Sequence, residues 1–131
     1  MKILQPPGWA RAKGFSNGIA ASGTLVFIAG QIGWTGEGNW EARDFAGQFR
    51  QTLKNILAVL AEAKGGPEHI VRLTWYVLDK QEYLNSLKAV GEAYRELMGR
   101  HYPTMAVVQV GGLVEPEARL EIEATAVVPE K

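Results

Sequence analysis

The chain contains no cysteine and only two histidines, His69 and His101. The first absence excludes disulfides, thiolate nucleophiles and cysteine-based metal sites. The second leaves no histidine pair at ligand spacing, so the chemistry is expected to run without a metal. Neither charge sign is in surplus, because 14 Lys plus Arg balance 14 Asp plus Glu. Without a basic footprint, nucleic acid is disfavoured as the main partner. Long apolar runs are also missing: nothing approaches the roughly 20 residues that span a bilayer, and residues 1–11 lack the apolar core of a signal peptide. The expectation is one cytoplasmic domain covering residues 1–131, with no membrane partner, no internal repeat and enough chain to bury a core.

What is present begins most clearly at the end of the chain, where residues 119–128 alternate in polarity. Strand side chains point to opposite faces in turn, so Leu120, Ile122, Ala124, Ala126 and Val128 form one apolar row while Arg119, Glu121, Glu123 and Thr125 share the other. Polar strand residues usually meet water, but a strand is also where an acid or base is held most rigidly.

Upstream, Pro6, Pro7, Gly8 and Gly14 mark an irregular arm. Residues 15–21 read as a short first strand, Ser22 and Gly23 as a hairpin turn, and residues 24–29 as an apolar strand covered on both faces. The next ten residues carry four glycines and Trp34, a loop suited to presenting backbone N–H groups to a ligand; it lacks the Gly-Lys-Ser or Gly-Lys-Thr ending of a phosphate loop. Over residues 40–64, Phe45, Phe49, Leu53, Ile56, Leu57 and Leu60 recur every three or four positions, predicting an amphipathic helix stopped by Gly65, Gly66 and Pro67. Residues 70–78 are a β-rich run. Asp79 and Glu82 have the spacing of a capping box, and Tyr83, Leu87, Val90, Tyr94 and Leu97 carry a second helical stripe to about Gly99. Residues 105–110 read as a strand and 111–117 as a turn.

The order β-β-α-β-α-β-β predicts an α+β subunit, a mixed sheet with both helices on one face. The other sheet face would then stand open, although residues 25–28 and 107–110 are apolar on both sides. Burying it against copies of the same chain predicts a closed homo-oligomeric ring.

Four segments, Phe27-Ile-Ala-Gly-Gln-Ile, Gln48-Phe-Arg-Gln-Thr-Leu-Lys-Asn-Ile56, Ile70-Val-Arg-Leu-Thr-Trp-Tyr-Val-Leu-Asp79 and Leu120-Glu-Ile-Glu-Ala-Thr-Ala126, resemble the Rid family, also called YjgF, in content and order. The resemblance implies a chorismate-mutase-like subunit, a homotrimer with ligand clefts between subunits, and hydrolysis of reactive enamines or imines, such as those derived from 2-aminoacrylate. Ammonia is released in that reaction without a metal or organic cofactor. In the family an Arg after the Pro that opens the penultimate strand clamps the substrate carboxylate as a bidentate partner. Here Pro103 and Thr104 are followed by Met105. The family's cleft-lining Tyr corresponds to Phe15, the Ser before Gly-Gln to Ala29, and an Asn of the second helix to Lys88, whereas Glu121, Gly30 and Gln31 are retained.

Hydrolysing an imine requires a water at the carbon, a proton for the nitrogen and a hold on the substrate. Glu121 is the candidate acid or base, acting by way of a bound water, and the amides of Gly30 and Gln31 are candidates to polarise a carboxylate or carbonyl. Arg11, Lys13 and Lys88 are candidate replacement cations, against the usual solvated state of such residues. Phe15, Trp34 and Met105 suggest an apolar cleft for a larger or aromatic-derived ligand. His101 reads as a structural residue at a helix C-terminus, set against its dipole. Two functions follow. One is a variant small-molecule deaminase acting on an imine, enamine or amino-substituted unsaturated acid; the other is a metabolite-binding or stress-associated trimer without turnover. Ribonuclease activity, a label borne by some relatives, is disfavoured by zero net charge and the lack of a histidine pair.

Overall fold

The computed structural model describes residues 1–130. Its sheet is organised around the alternating strand at the end of the chain, β6 (Leu120–Val128), which lies between β3 (Thr24–Gln31) and β4 (Ile70–Val77) and is antiparallel to both. β5 (Thr104–Gln109) adds to β4 in parallel, giving the order β3-β6-β4-β5 with β3 and β5 as free edges. A parallel neighbour needs a crossover. The crossover between β4 and β5 is made by α2 (Lys80–Asn85) and α3 (Leu87–Met98), while α1 (Phe45–Ala61) links β3 to β4.

All three helices lie on one side of the sheet, and the core forms there. Phe49, Leu53, Ile56 and Leu60 of α1 are fully buried against Leu73, Leu120 and Ile122, and the Phe49 and Trp75 rings stack with centroids 4.8 Å apart. Full burial of such side chains contributes about 1.5–3 kcal/mol each. Among the described residues the opposite face carries no helix. Phe27 is 75% exposed and Leu25 60% exposed there, so within one chain the β3 strand is covered on one face only, not on both. The mixed sheet with its helices on one side is the α+β arrangement expected from the sequence.

Several local expectations are corrected. The arm is not wholly irregular, because β1 (Lys2–Leu4) pairs antiparallel with β2 (Gly18–Ala20) as a separate two-stranded ribbon. The predicted strand over residues 15–21 shrinks to those three residues, leaving Phe15 outside it. Ser22 and Gly23 do not close a hairpin, since β2 pairs with β1 and β3 with β6. Gly23 instead adopts φ +147° where the chain crosses the end of β6, and a Cβ there would lie 2.8 Å from the Val128 carbonyl carbon. Helix α1 starts only at Phe45. Asp44 caps it, its carboxylate accepting from the Gly47 N–H at 3.2 Å.

The second helical stripe is two helices, interrupted at Ser86, whose hydroxyl donates to the Glu82 carbonyl at 2.7 Å. Asp79 caps α2, accepting from Gln81 N–H at 2.9 Å, yet the capping box is only half made. The Glu82 carboxylate turns to Arg119, whose Nε and Nη2 donate to it at 3.0 and 2.7 Å. This fork-to-fork pair draws Arg119 towards α2 and away from Glu121, with which it was expected to share a face.

Candidate functional site

Glu121 sits on the helix-free face of β6, opposite Tyr76 of β4 in the ladder. On its other side the β3–β6 register slips: Ile28 pairs with Ala124 and Gln31 with Ile122, so Ala29 and Gly30 together oppose the single residue Glu123. This bulge takes the Ala29–Gly30 step out of the regular ladder, a device common beside active sites. It also brings Gly30 against the Glu121 side chain. A Cβ built on Gly30 would lie 2.8 Å from the Glu121 carboxyl carbon, so only glycine lets that carboxyl group rest there. Glu121 is half-buried as a result, while Glu123 is exposed and accepts the Tyr76 hydroxyl at 2.6 Å. That hydrogen bond, with partial desolvation and the nearby charges of Glu123 and Glu121, raises the Tyr76 pKa and keeps the phenol a donor.

Met105 lies on the other side of the same sheet. It is paired with Leu73, a fully buried residue of the helix-covered face, and Val107 is paired with Trp75. Both line a cavity of about 220 Å³ between α3 and β5, walled also by Tyr83, Leu87, Val90 and Tyr94. That volume suits a small metabolite rather than a drug-sized ligand. Burial pushes the hydroxyls of Tyr83 and Tyr94 up, so the wall presents neutral phenols. Trp75 is 3% exposed and its indole N–H finds no partner among the described residues.

The arm completes this cavity. Ser16 N–H donates to the Pro103 carbonyl at 3.1 Å, and the Ser16 hydroxyl donates to the Tyr102 carbonyl. Gly14 is thereby seated on the cavity wall, with the partly exposed Phe15 between Gly14 and Ser16. Trp34 stands elsewhere. With Gln31 and the Gly-rich loop it lines a second hollow of about 440 Å³ against Asn55 and Val59 of α1. Within one chain, then, Trp34 and Met105 belong to two separate cavities rather than to one apolar cleft. Ala29 and Gly30 are exposed, and Arg11, Lys13 and Lys88 are exposed cations that line neither cavity.

His101 is structural, but through a strand and not a helix dipole: its Nε2 lies 2.6 Å from the Ile70 carbonyl. His69 is equally committed, its Nδ1 accepting from the Gly66 N–H at 3.0 Å.

Three positioning residues were not singled out from the sequence. Gln48 is fully buried and completely used: its amide donates to Glu117 and Ala42 carbonyls at 2.9 and 3.3 Å and accepts from Arg119 N–H at 2.8 Å. It fixes the entry of β6 and so the start of the strand that carries Glu121. Asn55 donates to the carbonyls of Ile32 and Trp34 at 3.1 and 2.7 Å, holding the Gly-rich loop on α1. Tyr76 is the third. The available signal was a Gln and an Asn on the apolar side of a helix, where a buried amide has to be answered by backbone.

Comparison with known proteins gives one consistent result. A family model described as Endoribonuclease L-PSP matches residues 8–128. The 2-iminobutanoate/2-iminopropanoate deaminase of Salmonella typhimurium is 32% identical over 108 residues, covering 80% of each chain. A Rid-family protein of unknown function from Yersinia pestis superposes with a TM-score of 0.85 at 30% identity, over 97% of this chain and 98% of that one. The structure of Escherichia coli TdcF with bound serine is 31% identical with a TM-score of 0.68, over 98% and 99% of the two chains.

Proposed function

The chain belongs to the Rid (YjgF) family, and from that membership we propose that it is a variant deaminase that hydrolyses an enamine, an imine or an amino-substituted unsaturated acid in a cleft between subunits of a homotrimer. The observation that carries this reading is the placing of two half-sites at opposite edges of one sheet. Glu121 is reached past edge strand β3 at Gly30, and the apolar cavity opens beside edge strand β5 at Met105. When a neighbouring subunit packs its β5 side over the bare face beside β3, its cavity is brought up to Glu121 across the join. A ring closed in this way also covers Phe27 and Leu25, which no single chain buries.

The chemistry follows from the groups available. Water adds to the carbon of the C=N bond and a proton passes to nitrogen, giving a tetrahedral carbinolamine. Its C–N bond then breaks, the electron pair leaving with nitrogen as ammonia while the hydroxyl proton is lost and the carbonyl forms. Glu121 shuttles these protons by way of water, and general acid–base help of this kind contributes about 10²–10⁴ in rate. Backbone amides near the Ala29–Gly30 bulge supply donors for substrate oxygen. Relatives named as deaminases support the reaction class. Ribonuclease chemistry is a poor fit, since both histidine side chains are engaged in structural hydrogen bonds.

A binding protein without turnover is the second reading, favoured by Met105 where the family keeps its guanidinium. Ammonia release separates the two. Supplying freshly generated imino acids and enamines, including aromatic ones, and measuring ammonia against the buffer rate is expected to show acceleration by the parent protein. Rates equal to buffer across the panel leave the binding reading.

A further inference from the structure

The cavity beside Met105 has one charged residue on its wall among those described, and it is Arg95 of α3. Helical side chains lean towards the N-terminus of their helix, over the turn before their own Cα. Arg95 does so across Gly91, one turn earlier, which also lines the cavity: a Cβ at Gly91 would stand 3.2 Å from Arg95 Nη1. The glycine leaves the guanidinium room to lie along the helix at the cavity mouth. Arg95 forms no ion pair among the described residues, whereas Arg50 and Arg119 are taken by Glu96 and Glu82. The remaining wall residues are apolar or aromatic, with the neutral phenols noted above.

Resting on the deaminase reading, we infer that Arg95 is the carboxylate clamp of this chain, a cation supplied from α3 into the cavity whose β5 wall carries Met105. The substrate class narrows accordingly. It is an imino or enamino acid whose carboxylate meets the Arg95 fork and whose apolar body, up to about one aromatic ring, fills the space among Tyr83, Tyr94, Val90 and Met105. A guanidinium approached from the helix side holds the carboxylate farther from β5 than one projecting from position 105. The reacting carbon is displaced with it, which selects against the smallest imino acids and for those whose side chain reaches the β5 wall.

The test separates binding from turnover. Phenylacetate and its neutral analogue phenylacetamide are titrated against the parent protein, Arg95→Ala and Arg95→Lys, following cavity tyrosine and tryptophan signals by NMR or fluorescence. The parent is expected to prefer phenylacetate. In Arg95→Ala that affinity falls by about tenfold to a hundredfold, the worth of a charge-assisted bidentate contact, while phenylacetamide binding is unchanged. Arg95→Lys keeps the charge without the fork and retains part of the preference. In the Arg95→Ala background, Met105→Arg is expected to restore carboxylate binding from the opposite wall. The assignment is overturned if the parent does not bind phenylacetate at millimolar concentration, if it binds acid and amide alike, or if Arg95→Ala leaves their ratio unaltered. Failure of the deaminase reading would look different: carboxylate binding would persist and depend on Arg95, with no ammonia formed.

Discussion

Met105 and Glu121 point to opposite faces of the same four-stranded sheet. Met105 is in register with the fully buried Leu73 on the helix-covered side, and Glu121 is opposite Tyr76 on the bare side. No rotamer change brings them together within one chain. A site that uses both is a site made by two chains.

Complementation between inactive variants follows. Glu121→Gln removes the proton carrier, and Leu87→Glu places an acid in the cavity at a half-exposed position in the first turn of α3. Each is expected to be inactive alone, with the oligomeric state of the parent. Unfolded together and refolded as mixed rings, they should recover roughly a quarter of parental ammonia release, because about that fraction of joins combines two intact halves. No recovery would place the whole site within one subunit.

Glu121→Gln by itself is expected to lower turnover by about 10²–10⁴ with the oligomer unchanged. Steady-state ammonia release and sedimentation measure the two separately. Rates equal to the parent remove Glu121 from the mechanism.

Gly30→Ala is expected to imitate that loss without touching the carboxylate itself. A methyl group at position 30 would lie 2.8 Å from the Glu121 carboxyl carbon, so either the side chain swings away or the bulge shifts. Activity should fall by at least about tenfold while cavity binding of an apolar probe holds, as befits a displaced group near the chemistry. Unaltered activity would mean that the contact is incidental.

Phe27→Asp sets a charge on the bare face at a position 75% exposed in the single chain. Sedimentation is expected to show loss of the proposed ring, in which a buried unpaired carboxylate would cost several kcal/mol at every join. A variant that remains trimeric would show that this face is not the one the ring buries.

Gln48→Leu fills the same space and leaves the Arg119 N–H and the Glu117 and Ala42 carbonyls without their partner. Destabilisation of about 2–4 kcal/mol is expected in urea unfolding, arising from buried polar groups left unmet. A shift below about 1 kcal/mol would indicate that water replaces the amide.

What could be read from the sequence tracks how strongly burial repeats along it. The stripe from Phe45 to Leu60 and the alternation from Leu120 to Val128 each commit many residues to one side, and both elements are found there, the helix shortened from the expected 40–64 to Phe45–Ala61. The break at Ser86 was invisible because the apolar spacing of Tyr83, Leu87 and Val90 runs straight across it. The β1–β2 ribbon was missed because each strand is three residues long, too short for any period to register. At the candidate site, Glu121 and Gly30 stood out one by one, but their contact depends on a bulge with no local sequence signature. Nothing in the sequence separates Arg95 from a solvated cation on the outer side of a helix. Its interest arises only from the missing side chain one turn earlier and from the strand that lies across the cavity from α3.

The ribbon of β1 and β2 bears on how ligand gets in. No hydrophobic residue before Val26 belongs to the buried core or packs against it, yet the arm carries Gly14 onto the cavity wall and is fastened to residues 102 and 103 through Ser16 alone among the hydrogen bonds described. Such a segment detaches at little expense to global stability, so its amides should exchange with solvent deuterium long before those of β4 and β6. It is a door hung on one hinge pin, and Ser16→Ala should leave it ajar, quickening ligand entry and exit alike.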